Sequence, residues 1–302
     1  MHSVQGASMN AASLDPRLLS DYAWSAWASL GVPGWDRGTF AACVDVEALI
    51  LFTATIDGLD PRLRQEALSW CVSNIDLISR SRIGGLLRNE GASQDGRWQG
   101  FASTLSALTK RPWPQAAGPA ERIEVRPVGV RADDPQALAL RTRGLMGATS
   151  RSEIVRALLL NEPGARVGMR ELLEETGFTR KSASDALGGL ELAGVVRSSR
   201  VGNAARFELR GRASLDDLLG PLPRVRESQR LLLRVTCALL RAAQDLQNAS
   251  ERVAHVESVR VASEIEKVIQ AARPGRAADT DSLESIVTWC RGGLERALEP
   301  GD

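Results

Sequence analysis

From Thr179 to Asp185 the chain reads Thr-Arg-Lys-Ser-Ala-Ser-Asp, and further on it reads Arg200-Val-Gly-Asn203-Ala-Ala-Arg206. Thr179, Arg180, Lys181, Ser182, Ser184, Asp185, Arg200, Asn203 and Arg206 supply hydroxyls, cations and an amide. Such groups suit charge-assisted hydrogen bonds to phosphate oxygens and contacts with base edges. Acid–base chemistry has little to draw on, because His2 and His255 are the only histidines. Asp279 and Asp281 read as helix capping, since acidic residues gather before helix starts. The glycine-rich "GVPGWDRG" (31–38) lacks the lysine and the strand-to-helix setting of a phosphate loop. Cys43, Cys71, Cys237 and Cys290 are far apart and form no C-x-x-C, which predicts four reduced, buried thiols. No enzyme activity, metal or cofactor is expected.

A helix can offer a polar end to a ligand only if its other face is tied to a core. The segment from 150 to 212 has that pattern. "SRSEIVRALLLNE" (150–162) predicts a first helix with Ile154, Val155, Leu158 and Leu159 inward, followed by a short strand around Val167. "RELLEETG" predicts a second helix stopped by Gly177. Thr179 then caps a third, which buries Ala183, Leu187 and Leu190 at spacings of four and three. Ala193-Gly194 ends it, and "VVRSSRVGNAARFELR" folds back as a hairpin whose tip is Val201-Gly202-Asn203-Ala204.

Charge agrees with this placement. The whole chain carries a formal +1, too little to steer it toward polyanions. Residues 150–212 hold eleven Arg or Lys against eight Asp or Glu, while the remainder holds 27 against 29. Backbone neutralisation of a nucleic acid needs such a local surplus. Glu171, Glu174 and Glu175 form an acidic patch on the second helix, expected to be solvated.

Residues 151–210 resemble the winged helix-turn-helix domains of bacterial transcriptional regulators of the ArsR and MarR type. The resemblance rests on "MRELLEETGFTRKSASDALGGLELAGVVRSSRVGNAARFEL". It implies sequence-specific binding of double-stranded DNA, usually as a homodimer, with the third helix in the major groove and the wing on the backbone. The wider layout, with "RTRGLMGATSRSEIVRALLL" ahead of the winged segment, resembles a group of bacterial proteins that imply no enzyme activity. Gly188 and Gly189 depart from the pattern, because each costs a helix about 1 kcal/mol relative to alanine. The competing reading is a protein-interaction module, such as an antitoxin or adaptor, that holds a protein partner with the same scaffold.

Around this segment a mainly α-helical chain is expected. Residues 1–13 read as a disordered tail without a signal peptide. Residues 14–110 read as a helical N-terminal domain, with Asp15-Pro16 and Asp60-Pro61 as helix starts and "VDVEALILFTATI" (44–56) as its central helix. Trp24, Trp27, Trp35 and Trp70 are expected in its core rather than around a ligand. Residues 111–133, with four prolines, read as a linker crossing the surface. The winged unit with its leading helix spans 134–212. Residues 213–302 read as a helical region whose stripe Val225, Ser228, Leu232, Val235, Leu239, Ala242 and Leu246 packs either on the chain's own N-terminal domain or, the reading favoured here, on a second copy as a dimer seam. An Asp281–Glu284 capping pair is expected to open the last helix. No apolar stretch reaches the ~20 residues needed to cross a bilayer, so a soluble, cytoplasmic protein is expected.

Overall fold

Asp15 and Asp60 each sit in extended backbone just ahead of a proline. Their carboxylates accept from Arg17 N (2.9 Å) and from Arg62 N (2.9 Å), capping α1 (Pro16–Ser29) and the helix that begins at Pro61. Proline at the first position loses no hydrogen bond, so these starts are fixed locally. A computed structural model describes residues 14–34, 40–89, 96–246, 250–272 and 282–299. The N-terminal tail, His2, Trp35, Asp279, Asp281 and most of the break expected at 89–96 lie outside the described residues.

Between the two capped helices lies α2 (Val46–Thr55), whose ten residues are all buried. Around it pack α3 (Pro61–Ser73), α4 (Arg80–Asn89) and α5 (Gly96–Thr109). Trp24, Trp27 and Trp70 serve this core. Trp27 and Trp70 meet at 5.4 Å between ring centroids, and their indole N–H groups donate to Thr53 Oγ1 and the Leu30 carbonyl. Buried indoles with satisfied donors are packing groups.

Residues 111–133 carry no helix or strand and run as a strap over α3. Arg126 N donates to Ser69 Oγ and Val128 N to Ser73 Oγ, while Arg131 N reaches the Leu30 carbonyl. Trp113 and Val128 are buried in the first core. The expected surface linker is therefore bound along its length to the helical half.

After a 3-10 turn at Pro135–Ala137, α6 (Leu138–Met146) leads into α7 (Ser150–Leu160), β1 (Val167–Gly168), α8 (Met169–Thr176) and α9 (Arg180–Leu192). The hairpin β2 (Val196–Val201) and β3 (Ala204–Leu209) follows, turning over Gly202 (φ 58°) and Asn203. The sheet is antiparallel in the order β1-β3-β2, with Val167 opposite Phe207 and Val201 opposite Ala204. A second core of Ile154, Leu158, Leu172, Ala183, Leu187, Leu190, Val196 and Phe207 holds these elements together. The chain is thus mainly α with a small β-wing.

A short helix, α10 (Arg212–Leu219), follows the hairpin and opens the helical C-terminal region. Among the described residues three more helices follow: α11 (Gln229–Leu246), α12 (Glu251–Ala272) and α13 (Leu283–Leu298). Ser282 and Ser285 form the capping box of α13. Leu232, Val235 and Leu239, expected at a dimer seam, lie in the first core, where α11 packs on α2. The helical half presents its own apolar surface to that stripe, so much of the stripe is covered within the chain. No helix among the described residues is long and apolar enough to cross a membrane.

Candidate nucleic-acid interface

Gly177, at φ 72°, ends α8 in the left-handed conformation that glycine adopts without strain. Two residues later Thr179 is extended and its hydroxyl accepts from Ser182 N at 3.3 Å, starting α9. Ala183, Ala186, Leu187 and Leu190 are buried. That leaves Thr179, Arg180, Lys181, Ser184 and Asp185 exposed, with Ser182 half-buried. Ser182 is partly committed: its hydroxyl accepts from Thr179 Oγ1 at 3.1 Å, and its carbonyl accepts from Ser150 Oγ. The exposed end also carries the unpaired backbone N–H groups and positive dipole of a helix start.

Ion pairing sorts the cations of this half. Arg166 and Arg197 both pair with Glu208. Arg206, expected to reach the backbone of a nucleic acid, instead donates to Glu171 Oε1 at 2.8 Å beside Gly168. The β1–β3 pairing places Arg206 opposite Gly168, where α8 begins and a carboxylate is within reach. Among the described residues, Arg151, Arg170, Arg180, Lys181, Arg200 and Arg210 have no carboxylate within 4.0 Å, and all six are exposed. Arg200 flanks the hairpin tip, next to the exposed Asn203. Internal pairing therefore removes much of the acidic charge, and the surplus left at the surface is cationic.

The paired glycines of α9 differ in their surroundings. A Cβ on Gly188 would meet nothing within 4 Å, so the helix backbone is open to close approach there. A Cβ on Gly189 would come 3.2 Å from the Arg151 guanidinium, which lies along the flank of α9.

The acidic patch of α8 is half-buried and faces arginines. Glu171 holds Arg206, Glu174 accepts from Arg234 at 3.0 Å, and Glu175 accepts from Arg156 at 3.1 Å. Behind Glu175 lies a buried charge network. Arg82 donates to Asp45 and Glu47 (2.6–2.7 Å) and to the Thr176 carbonyl (2.6 Å). Arg143 bridges Glu47 and Glu153, and Arg156 pairs with Glu153 at 2.9 Å. Asp45, Glu47 and Arg82 belong to the helical half, whereas Glu153 and Arg156 belong to α7. Burial pushes the Glu153 carboxyl up, but the surrounding arginines, Arg143 foremost, hold it at about 2. Burial acts the same way on Asp45, and Arg82 above all holds it below the ordinary carboxylate range. Desolvating these charges is tolerated only because each is paired.

This network and the glycine pair of α4 lie against the turn that precedes α9. Gly85 faces the Gly177 carbonyl with no room for a side chain, and Gly177 in turn abuts Leu86. The turn ahead of α9 is thus seated on the helical half. Sequence reasoning missed this seam. Its only visible sign was the Gly84-Gly85 pair inside an otherwise helical stretch. Cys43, Cys71, Cys237 and Cys290 are buried and form no disulfide, and burial pushes Cys43 to about 11 and Cys290 to about 12, so both are thiols at neutral pH.

Comparison with protein-family models, with curated proteins and with solved structures returns no match.

Proposed function

We propose that the chain binds double-stranded DNA as a transcriptional regulator, a repressor working in the cytoplasm as a homodimer. In this reading α9 enters the major groove and the β2–β3 wing lies on the backbone. Arg180, Lys181, Ser182 and Ser184 approach base edges, the two cations also meeting phosphate oxygens at the groove edge, while Arg200 and Asn203 hold the flank. The observation that carries the reading is the state of Arg180 and Lys181. Both are exposed and free of carboxylate partners, on the first turn of a helix whose inner face is buried. A helix start and two cations together favour phosphate. Two copies allow two half-sites one helical turn apart to be read.

The experiment is a selection from a pool of random-core duplexes on the full chain. Enrichment of one motif with two related halves supports the reading. A pool that stays unenriched at low salt contradicts it.

A second reading, a protein-interaction module, is favoured by Leu192, which lies on α9 and is 92% exposed. A stoichiometric protein partner whose binding is lost in Leu192→Glu, with no duplex retained, would mark that alternative.

A further inference from the structure

Resting on the DNA reading, we infer that the helical half contributes a phosphate contact of its own, made by Arg88 at the end of α4. The seam described above brings this residue to the interface. A Cβ on Gly85 would lie 2.6 Å from the Gly177 carbonyl and 3.9 Å from Arg88 Nη2. The guanidinium therefore lies beside the turn that leads, two residues on, into Thr179 and then Arg180. It folds back along the α4 surface, with Nη1 3.5 Å from where a Cβ of Gly84 would be. Arg88 is exposed and has no carboxylate within 4.0 Å among the described residues.

The three residues from Gly177 to Arg180 span at most ~10 Å of chain. Arg88 and the start of α9 thus fall within reach of neighbouring phosphates of one strand. Glycine at 84 and 85 serves both contacts, since it admits the turn and leaves room for the Arg88 guanidinium. Arg82, two residues earlier, is committed to Asp45 and Glu47 and holds the arrangement rigid. The N-terminal half is then part of the DNA-binding surface, and the cationic strip runs from α4 across the junction to α9.

A phosphate contact has a specific signature. Losing one lowers the slope of log K against log salt by about 0.9 and weakens binding alike on all sequences. The test is fluorescence polarisation of a labelled 30-bp mixed-sequence duplex with the full chain across a salt series. Wild type is compared with Arg88→Gln, Arg88→Lys, the double variant Arg180→Gln/Lys181→Gln, and Arg17→Gln as an exposed control on α1. The expected result is a slope reduced by about one in Arg88→Gln and unchanged in Arg88→Lys and Arg17→Gln, with equal melting temperatures. A double variant that lowers the slope while Arg88→Gln does not overturns the inference and leaves the DNA reading standing. A wild-type chain that fails to bind the duplex at low salt overturns both.

Discussion

The Gly177 carbonyl oxygen occupies the space that a side chain on Gly85 would need, with only 2.6 Å to a Cβ built there. One glycine ends the helix before α9, and the other lies in the middle of α4. Their contact seats the winged half on the helical half, at the point from which α9 departs.

Two helical glycines should therefore respond to alanine with opposite signs. Gly188→Ala adds a methyl group in open space and gains about 1 kcal/mol of helix propensity. Gly85→Ala gains the same propensity but drives a methyl group into a backbone carbonyl, and overpacking of that kind costs about 1–3 kcal/mol. Urea unfolding should show Gly188→Ala more stable than wild type and Gly85→Ala less stable. A stabilised Gly85→Ala would mean that the seam is looser than described.

The buried arginines should make the two cores unfold together. All seven tryptophans lie outside residues 150–212, so indole fluorescence reports the helical half, while hydrogen exchange of α9 amides reports the other. Coincident transitions are expected in wild type. Arg82→Met leaves Asp45 and Glu47 short of a partner and should cost about 3–5 kcal/mol. It should also let the α9 amides exchange before fluorescence changes. Coincident transitions in the variant would show that Arg82 does not couple the halves.

Acid should weaken the same seam. Glu153 is held at about 2 in the folded chain against an ordinary value of 4.5. A depressed carboxyl contributes stability above its unfolded value and loses it as pH falls toward the folded one. The contribution is thus full above about pH 4.5 and fades between there and about pH 2. Between pH 6 and pH 3 the urea midpoint should fall more steeply in wild type than in Glu153→Gln, which has no carboxyl to protonate. Parallel pH profiles would remove Glu153 from the pH response.

Arg200 and Arg206 should separate along similar lines, though both lie in the hairpin. Arg206 is spent on Glu171, so Arg206→Ala should lower the melting temperature slightly and leave the salt slope of DNA binding unchanged. Arg200→Ala should lower that slope and leave the melting temperature alone. The reverse pattern would place Arg206 at the phosphates.

What could be read from the sequence was local. Asp15-Pro16, Asp60-Pro61, Thr179 and Gly194 define element ends through bonds to residues only a few positions away, and the buried positions of α9 follow from their spacing. What escaped was long-range. Arg143 meets Glu47 across 96 positions and Arg156 meets Asp45 across 111, and no periodicity carries that information. Arg206 looked like any other wing arginine until the β1–β3 pairing set it opposite Gly168 and beside Glu171. The stripe on α11 was legible as a buried face, but whether its partner was another copy or the same chain depended on where α2 lies. Short α10 follows Gly211, which supplies no side-chain cap, and so gave no start signal.

The salt dependence of duplex binding in Arg180→Ala/Lys181→Ala measures directly whether the cationic start of α9 meets phosphate. The expected result is tight, salt-sensitive binding by the wild-type chain and a log–log slope lower by about two in the double variant, at about 0.9 per contact. An unchanged slope in a folded double variant would contradict it.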